Sequence, residues 1–377
     1  RVHPRVAAPG FVSDGATLAV VEPAYEILGL DVTTNTFAAD DPLWVRVGVP
    51  YAANQSLQFV QARRAGQPPL DLTVTSSNPG VGLLTTQSTP QVPSVSLQIP
   101  TGSAQTPTSV ATGGAAFDAL AIGSTTVSAQ FAGLTVNPTT AGTQTITVDA
   151  PQITVQDYTV GAGLQYGNLN AQLESGNHGG VTVTLRSSNA DVFLVSPDAA
   201  TPGTESIQVT VPAGQTLAGF YLQGVEGAQA TATLTVSAPG FTNSVSSVEV
   251  VRPALDLLSL NTQYGATAAS DAFWVRLGVP YANDTGIWIQ QAVRAGAAAL
   301  TATVTSSNTA AAQLVTTGQT GGSVTVTIQP GEFRSPITLE TGGVLIDPLA
   351  AGSTTIQATI PDVTTAQTGT RTVTINP

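Results

Sequence analysis

A chain of 377 residues with 42% hydrophobic content can bury several cores, and its length points to about two to four domains. Only 9% of residues are charged; all 11 basic residues are Arg, and 23 acidic ones bring the net charge to −12. This balance excludes nucleic acid and anionic membrane as partners. The absence of Cys excludes disulfides, thiolate metal sites and thiol chemistry, and no apolar run is long enough for a membrane-inserted helix.

Residues 1–23 carry one apolar run, Ala16-Thr17-Leu18-Ala19-Val20-Val21. Pro9-Gly10-Phe11 and Pro23-Ala24 recur later as Pro239-Gly240-Phe241 and Pro253-Ala254, so this segment matches the end of a unit further along the chain. It is expected to form the terminal strand or strands of a preceding module, with the chain opening partway through an array. The lack of Met fits a processed or excised piece. An apolar strand without neighbours is prone to add to a foreign sheet edge. Ala16, Leu18, Val20 and Val21 are therefore candidates for an assembly strand that completes a sandwich in another molecule.

The next unit, residues 24–150, contains Leu43-Trp44-Val45-Arg46-Val47-Gly48-Val49. Its alternation predicts a strand that buries Leu43, Val45, Val47 and Val49 and turns Trp44 and Arg46 to the other face, stacked together. A Thr-rich strand ending in Ser-Ser-Asn78 follows, then a second strand ending at Pro100. The unit from 151 to 253 repeats that sequence of signals, with Val181-Thr182-Val183-Thr184-Leu185, Asn189, and Ser206 to Val211 before Pro212. From 254 to 377 the first pattern returns. Asp41–Asn78 aligns without a gap on Asp271–Asn308 with 21 identities in 38 positions, and Ser94–Gly123 matches Ser323–Gly352 after one deleted residue. Units 24–150 and 254–377 are thus one type, B, and unit 151–253 a related type, A. Pro23, Pro151 and Pro253 each follow a final strand, where a residue without an N–H ends the ladder and stiffens a short joint.

Period-two alternation with Gly, Pro and Asn turn signals, and almost no helical periodicity, predicts an all-β chain of tandem antiparallel sandwiches. Several segments add a resemblance. Val211-Pro212-Ala213-Gly214, Phe220 to Gly224, Ala230 to Thr233 and Ser237 to Phe241 in unit A resemble bacterial immunoglobulin-like modules. Leu120 to Val127 in unit B and its copy Leu349 to Ile356 are similar to the penultimate-strand entry of such modules. These modules occur in tandem in large secreted and cell-surface proteins. The resemblance implies an immunoglobulin-like fold and an extracellular or surface location, and it does not by itself assign an activity.

Four residues form the candidate binding face: Trp44 and Arg46, repeated as Trp274 and Arg276. An aromatic ring beside a guanidinium could take a glycan or a surface protein. The structural reading is a local cation–π pair, with Asp41 or Asp271 as neighbour, worth about 0.5–1 kcal/mol. Asp40, Asp41 and Asp271 are weak candidates for a Ca²⁺ joint, beside Asp71 and Asp284. Ca²⁺ needs six to eight oxygens from clustered carboxylates, and Asp40 becomes Ser270 in the copy. No cofactor or metal site is expected. His3, His178 and Glu174 make no catalytic constellation, and no nucleophile, zinc or phosphate-loop motif occurs, so no enzyme activity is expected. Without Lys there can be no intramolecular isopeptide staple. The expected role is structural: an extracellular rod or fibre whose partners are further immunoglobulin-like modules or copies of itself. A glycan-binding or adhesive array is the second reading.

Overall fold

Strand Leu70–Ser76 shows how these sequences choose their faces: Leu70, Leu72, Val74 and Ser76 are buried, while Asp71 and Thr73 stay in water. The same alternation recurs in Ser94–Ile99, Val181–Ser187 and Ser323–Ile328. In this computed structural model, residues 3–10, 12, 14–16 and 18–377 are described. Among them there is no α-helix, only four three-residue 3-10 turns such as Val110–Thr112. The protein is all-β, built of immunoglobulin-like antiparallel sandwiches, and its contacts divide it into two compact units, Arg1–Pro151 and Gln152–Pro377.

In the first unit two sheets face each other across one core. One runs in the order Asn137–Pro138, Ala24–Leu28, Asp41–Pro50, Ala115–Ala119, Gly82–Thr85. The other runs Thr33–Asn35, Gln144–Asp149, Gly123–Phe131, Leu70–Ser76, Ser94–Ile99. The opening segment is shared between the sheets. Ala24–Leu28 pairs antiparallel with the Trp44 strand, and after a turn at Gly29 the chain crosses to lie parallel to Gln144–Asp149. Gly29 sits at φ 91°, and a Cβ there would also run into the Trp44 ring and the Pro42 carbonyl. Leu43, Val45, Phe117, Val127 and Ile146, each no more than 1% exposed, belong to one core between the sheets.

Alternation in the Asp41–Pro50 strand holds through Val47 and then fails: Gly48 is buried and Val49 is only half-buried. The register there is irregular, between Val49 and Pro50 against Leu57–Val60, and the same irregularity recurs at Val279–Pro280, where Val279 is buried. Gly48 lies under that strand, where a Cβ would overlap the Phe59 carbonyl; Gly278 meets Ile289 in the same way in the second copy. The glycine in Val-Gly-Val-Pro is thus required by a close backbone approach.

The Ser-Ser-Asn signal also has a physical role. Ser76 Oγ donates to the Gly82 carbonyl at 2.7 Å and lies 2.9 Å from Thr125 Oγ1, which accepts the Asn78 N–H. Ser306, Thr354 and Asn308 repeat the cluster. These buried hydroxyls satisfy backbone groups where the chain leaves one sheet for the other.

The second unit contains two such sandwiches in series. Residues 153–251 pair as Ile153–Thr154, Leu164–Leu173, Leu217–Gly224, Phe193–Ser196 in one sheet and Tyr158–Gly161, Ser244–Val251, Ala230–Ser237, Val181–Ser187, Ser206–Val211 in the other. Residues 254–376 repeat the sheets of unit B, with Asp271–Pro280 in place of Asp41–Pro50.

Of the segment before Pro23, Arg5–Val6 pairs with Asp14–Gly15. Ala16, Leu18, Val20 and Val21 are exposed, Leu18 by 57% and Val20 by 74%. Their counterparts Val248 and Val250, in the Ser244–Val251 strand, are 0% and 2% exposed. Thr17 lies outside the described residues.

Candidate functional site

Glu26 stands directly across the ladder from Arg46, and Asp256 stands across from Arg276. Both carboxylates are buried, and each takes its guanidinium at 2.7 Å. Asp256 accepts both Nε and Nη2 of Arg276, at 3.0 and 2.7 Å. Glu26 divides its oxygens between Arg46 Nη2 and the Leu57 N–H, which leaves the buried Arg46 Nε unpaired. The expected Trp–Arg stack is therefore corrected, and so is the expectation of Asp41 or Asp271 as the carboxylate neighbour. A hydrogen bond to a charged group, worth about 1.5–3 kcal/mol, outweighs a ring contact of about 0.5–1 kcal/mol. Alternation alone does not show which acid faces the Arg from the next strand. Trp44 instead packs against Gly29. Trp274 has a different cation, Arg334, 5.5 Å from its ring centroid. The first copy has Gln105 at that position, so the two Trp faces differ in chemistry.

Asp41, Asp71 and Asp271, three of the weak metal candidates, are engaged in local hydrogen bonds. Asp41 Oδ2 accepts the Asp31 N–H at 3.0 Å, whereas Asp271 Oδ2 accepts Asn261 Nδ2 and the Tyr264 hydroxyl. Burial, and then the bond to Asp271, pushes Tyr264 up to about 12. Partial burial and then the Asp118 charge raise the Asp40 carboxyl above its ordinary value. Asp71 accepts Gln98, and Asp347 accepts Gln313 and Ser270. Among the described residues no three His, Cys, Asp or Glu side chains converge on a point that could hold a metal ion. His178 ties off a hairpin, its ring nitrogens meeting Gln215 O and Gly180 N, and Glu174 accepts the Gln152 N–H.

Convergent chemistry lies elsewhere, at the joint between residues 152–253 and 254–377. Ala292–Val293 of the last module adds to the Leu164–Leu173 strand, with Leu164 opposite Val293 and Gln165 opposite Ala292, and Arg294 N–H donates to Gly163 O at 3.1 Å. One sheet thereby continues from module A into a segment of module B. Gln291, 2% exposed, accepts the Gly161 N–H at 2.8 Å and donates to Thr159 O at 2.9 Å. In the reverse direction, Gln165 Oε1 accepts the Ala295 N–H at 3.1 Å and Gln223 Nε2 at 3.2 Å. Arg294 closes the rim with two bonds to Glu226, at 2.8 and 2.7 Å. Leu164, fully buried, belongs to the core cluster of the following module together with Leu277, Val293 and Val304. Buried amides paired in this way resist separation, because parting the modules would strand them. A cavity of about 400 Å³ lies beside the joint, with Glu226, Arg252, Val293, Leu300 and Asp362 among its lining.

Burial works against the charge of Glu226, yet hydrogen bonding and charge from Arg294 hold its carboxyl below the ordinary 4.5. Its contribution is accordingly present above pH 4.5 and is lost as pH falls through the lower folded-state value. With half of the Glu226 side chain in water, the pair is worth at most about 1 kcal/mol. The stability gap between the native chain and Glu226→Gln should therefore be constant above pH 4.5 and close below the depressed value. Thermal unfolding at stepped pH measures this, and a gap that persisted in strong acid would contradict the assignment.

None of the joint residues stands out in the strand pattern. One sequence signal does mark them: Gln-Ala-x-Arg-Ala-Gly occurs at both 61–66 and 291–296, although most of the surrounding loop has diverged.

The chain matches no protein-family model and no curated protein. Among solved structures it is similar to domains 4–9 of the surface-layer protein SbsC, at 15% identity and a TM-score of 0.28, over 94% of this chain and 47% of that one. It therefore spans about half the length of that fragment. It is also similar to the BSP domain of a biofilm-associated protein, at 10% identity and a TM-score of 0.21, over 94% and 66% of the two chains. A third likeness is to CBD12 from CALX1.2, at 10% identity and a TM-score of 0.26, over 58% and 96%. Likenesses at this level carry no argument about function.

Proposed function

We propose that the chain is a non-enzymatic structural array of bacterial immunoglobulin-like modules, extracellular or at the cell surface, in which A and B modules lock end to end into a stiff rod or fibre. The observation that carries this reading is the joint itself: a continued ladder, two buried glutamines bonded to the opposite backbone, and a leucine of one module inside the core of the next. A flexible tether would keep such groups in water, and a transient contact would not share a core. Low charge and a Thr- and Ser-rich surface support the external location, as does the family resemblance in the strand motifs. The glycan-binding reading is less favoured, since both guanidinium groups of the repeated Trp/Arg face are engaged by buried carboxylates.

The test is the double variant Gln291→Ala/Arg294→Glu in the full chain. Calorimetry of the native protein should show residues 152–377 unfolding as one cooperative block. The variant should split that block into two transitions without loss of strand content by circular dichroism. Unchanged cooperativity would mean that the joint does not couple the modules and would overturn the proposed rod.

A further inference from the structure

The first B module carries the same docking motif, and among the described residues nothing is seated on it. Gln61, Ala62, Arg64, Ala65 and Gly66 are identical to Gln291, Ala292, Arg294, Ala295 and Gly296. The loop is also held in the same way. Gln61 N–H donates to Val47 O, Arg63 N–H to Ser103 O at 2.7 Å, and Gly102 N–H to Arg63 O at 3.0 Å. The counterparts are Gln291 to Leu277, Val293 to Glu332 at 2.9 Å and Gly331 to Val293 at 2.8 Å. Exposure is the difference. Gln291 and Ala295 are buried in the joint, whereas Gln61, Ala62, Arg64 and Ala65 are all exposed. Among the described residues Arg64 has no ion pair, while Arg294 grips Glu226. A groove of about 150 Å³, lined by Val47, Gln61, Arg63, Leu70 and Val136, opens beside the loop. Leu277, Leu300 and Val363 occupy the matching positions of the second copy, in or against the core cluster that takes in Leu164.

A second, independent feature points to the same occupant. Leu18 and Val20 align with Val248 and Val250, the inward side chains of the last strand of module A, and are exposed where those are covered. We propose that the Gln61–Gly66 face is a docking site for a type A immunoglobulin-like module, one that takes residues 14–21 as its last strand, lays an edge strand along Ala62–Arg63, inserts an aliphatic side chain into the groove and offers a carboxylate to Arg64. The occupant is not the A module of a second copy, because that module's edge strand and Glu226 are already committed to its own Gln291–Ala295 segment. Val293 is replaced by Arg63, whose Nε bonds to Pro68 O at 3.1 Å, leaving its stem to line the groove. The proposal rests on the reading of the 152–377 joint as a stiff structural contact.

The experiment is amide hydrogen exchange on the full chain extended at its front by a copy of residues 152–230, so that residues 1–21 complete a type A module. Residues 61–66 should exchange at least about 100-fold more slowly than in the unextended chain, approaching residues 291–296 of the same sample. Gln61→Ala/Arg64→Glu should abolish that protection while residues 18–21 stay protected. A second form, with residues 152–252 in place of 1–22, covers failure of the hybrid module to fold. Unprotected 61–66 in both forms overturns the proposal. So does protection of 61–66 in the unextended chain that rises with protein concentration, since the occupant would then be a second copy. Rapid exchange at 291–296 would instead show that the reading of the 152–377 joint had failed.

Discussion

Asp256→Ala should destabilise the last module by about 3–5 kcal/mol, because it leaves the largely buried Arg276 guanidinium without the carboxylate that takes two of its N–H groups. The loss should lie toward the lower figure, since the Arg276 side chain keeps 21% of its surface in water. Replacing both partners together, Asp256→Leu/Arg276→Leu, should cost much less than the single change, because no charge is then stranded. Urea unfolding of the full chain, followed by Trp fluorescence, measures both. If the double variant were as unstable as Asp256→Ala, packing rather than charge would account for the position. In the first copy the matching change, Glu26→Ala, also removes the acceptor of the Leu57 N–H, so backbone pairing of Leu57–Val60 should loosen as well.

Leu164→Ala is the second large effect. A buried Leu→Ala change costs about 2–5 kcal/mol through lost transfer energy and the cavity left behind. Here the cavity would open in the core of residues 254–377, although the substitution lies in the module before it. Unfolding of the 152–377 block should shift to lower denaturant by an amount similar to that of Leu277→Ala, a substitution within the last module's core. A shift much smaller than that of Leu277→Ala would contradict the shared core.

The sheet content and the inward faces of most strands were legible in the sequence, because side-chain direction in a strand follows a two-residue period that needs no knowledge of neighbours. Leu43, Val45 and Val47 turn inward as alternation requires, whereas Val49 is only half-buried although its counterpart Val279, at the same register irregularity, is buried. The repeat was equally plain, since 21 identical residues in 38 are visible without a structure. The partners of the polar side chains were not. Glu26 and Arg46 are 20 residues apart and meet because two strands align in one register; Arg334 reaches Trp274 from 60 residues away. Register is fixed by turns, bulges and core packing together, so the alternation of one strand does not say which acid will face which base.

The joint shows where that boundary falls. By itself the sequence determined an all-β chain of two module types and the recurrence of Gln-Ala-x-Arg-Ala-Gly at 61–66 and 291–296. Only the tertiary structure decided what the motif is for. Gln291 and Arg294 acquire their role from Gly161, Gln165 and Glu226, residues of another sandwich that are brought to them when Leu164 enters a core it does not adjoin in sequence. Local periodicity reports which side of a strand is apolar, whereas the pairing of buried amides and charges depends on desolvation by groups that are distant along the chain.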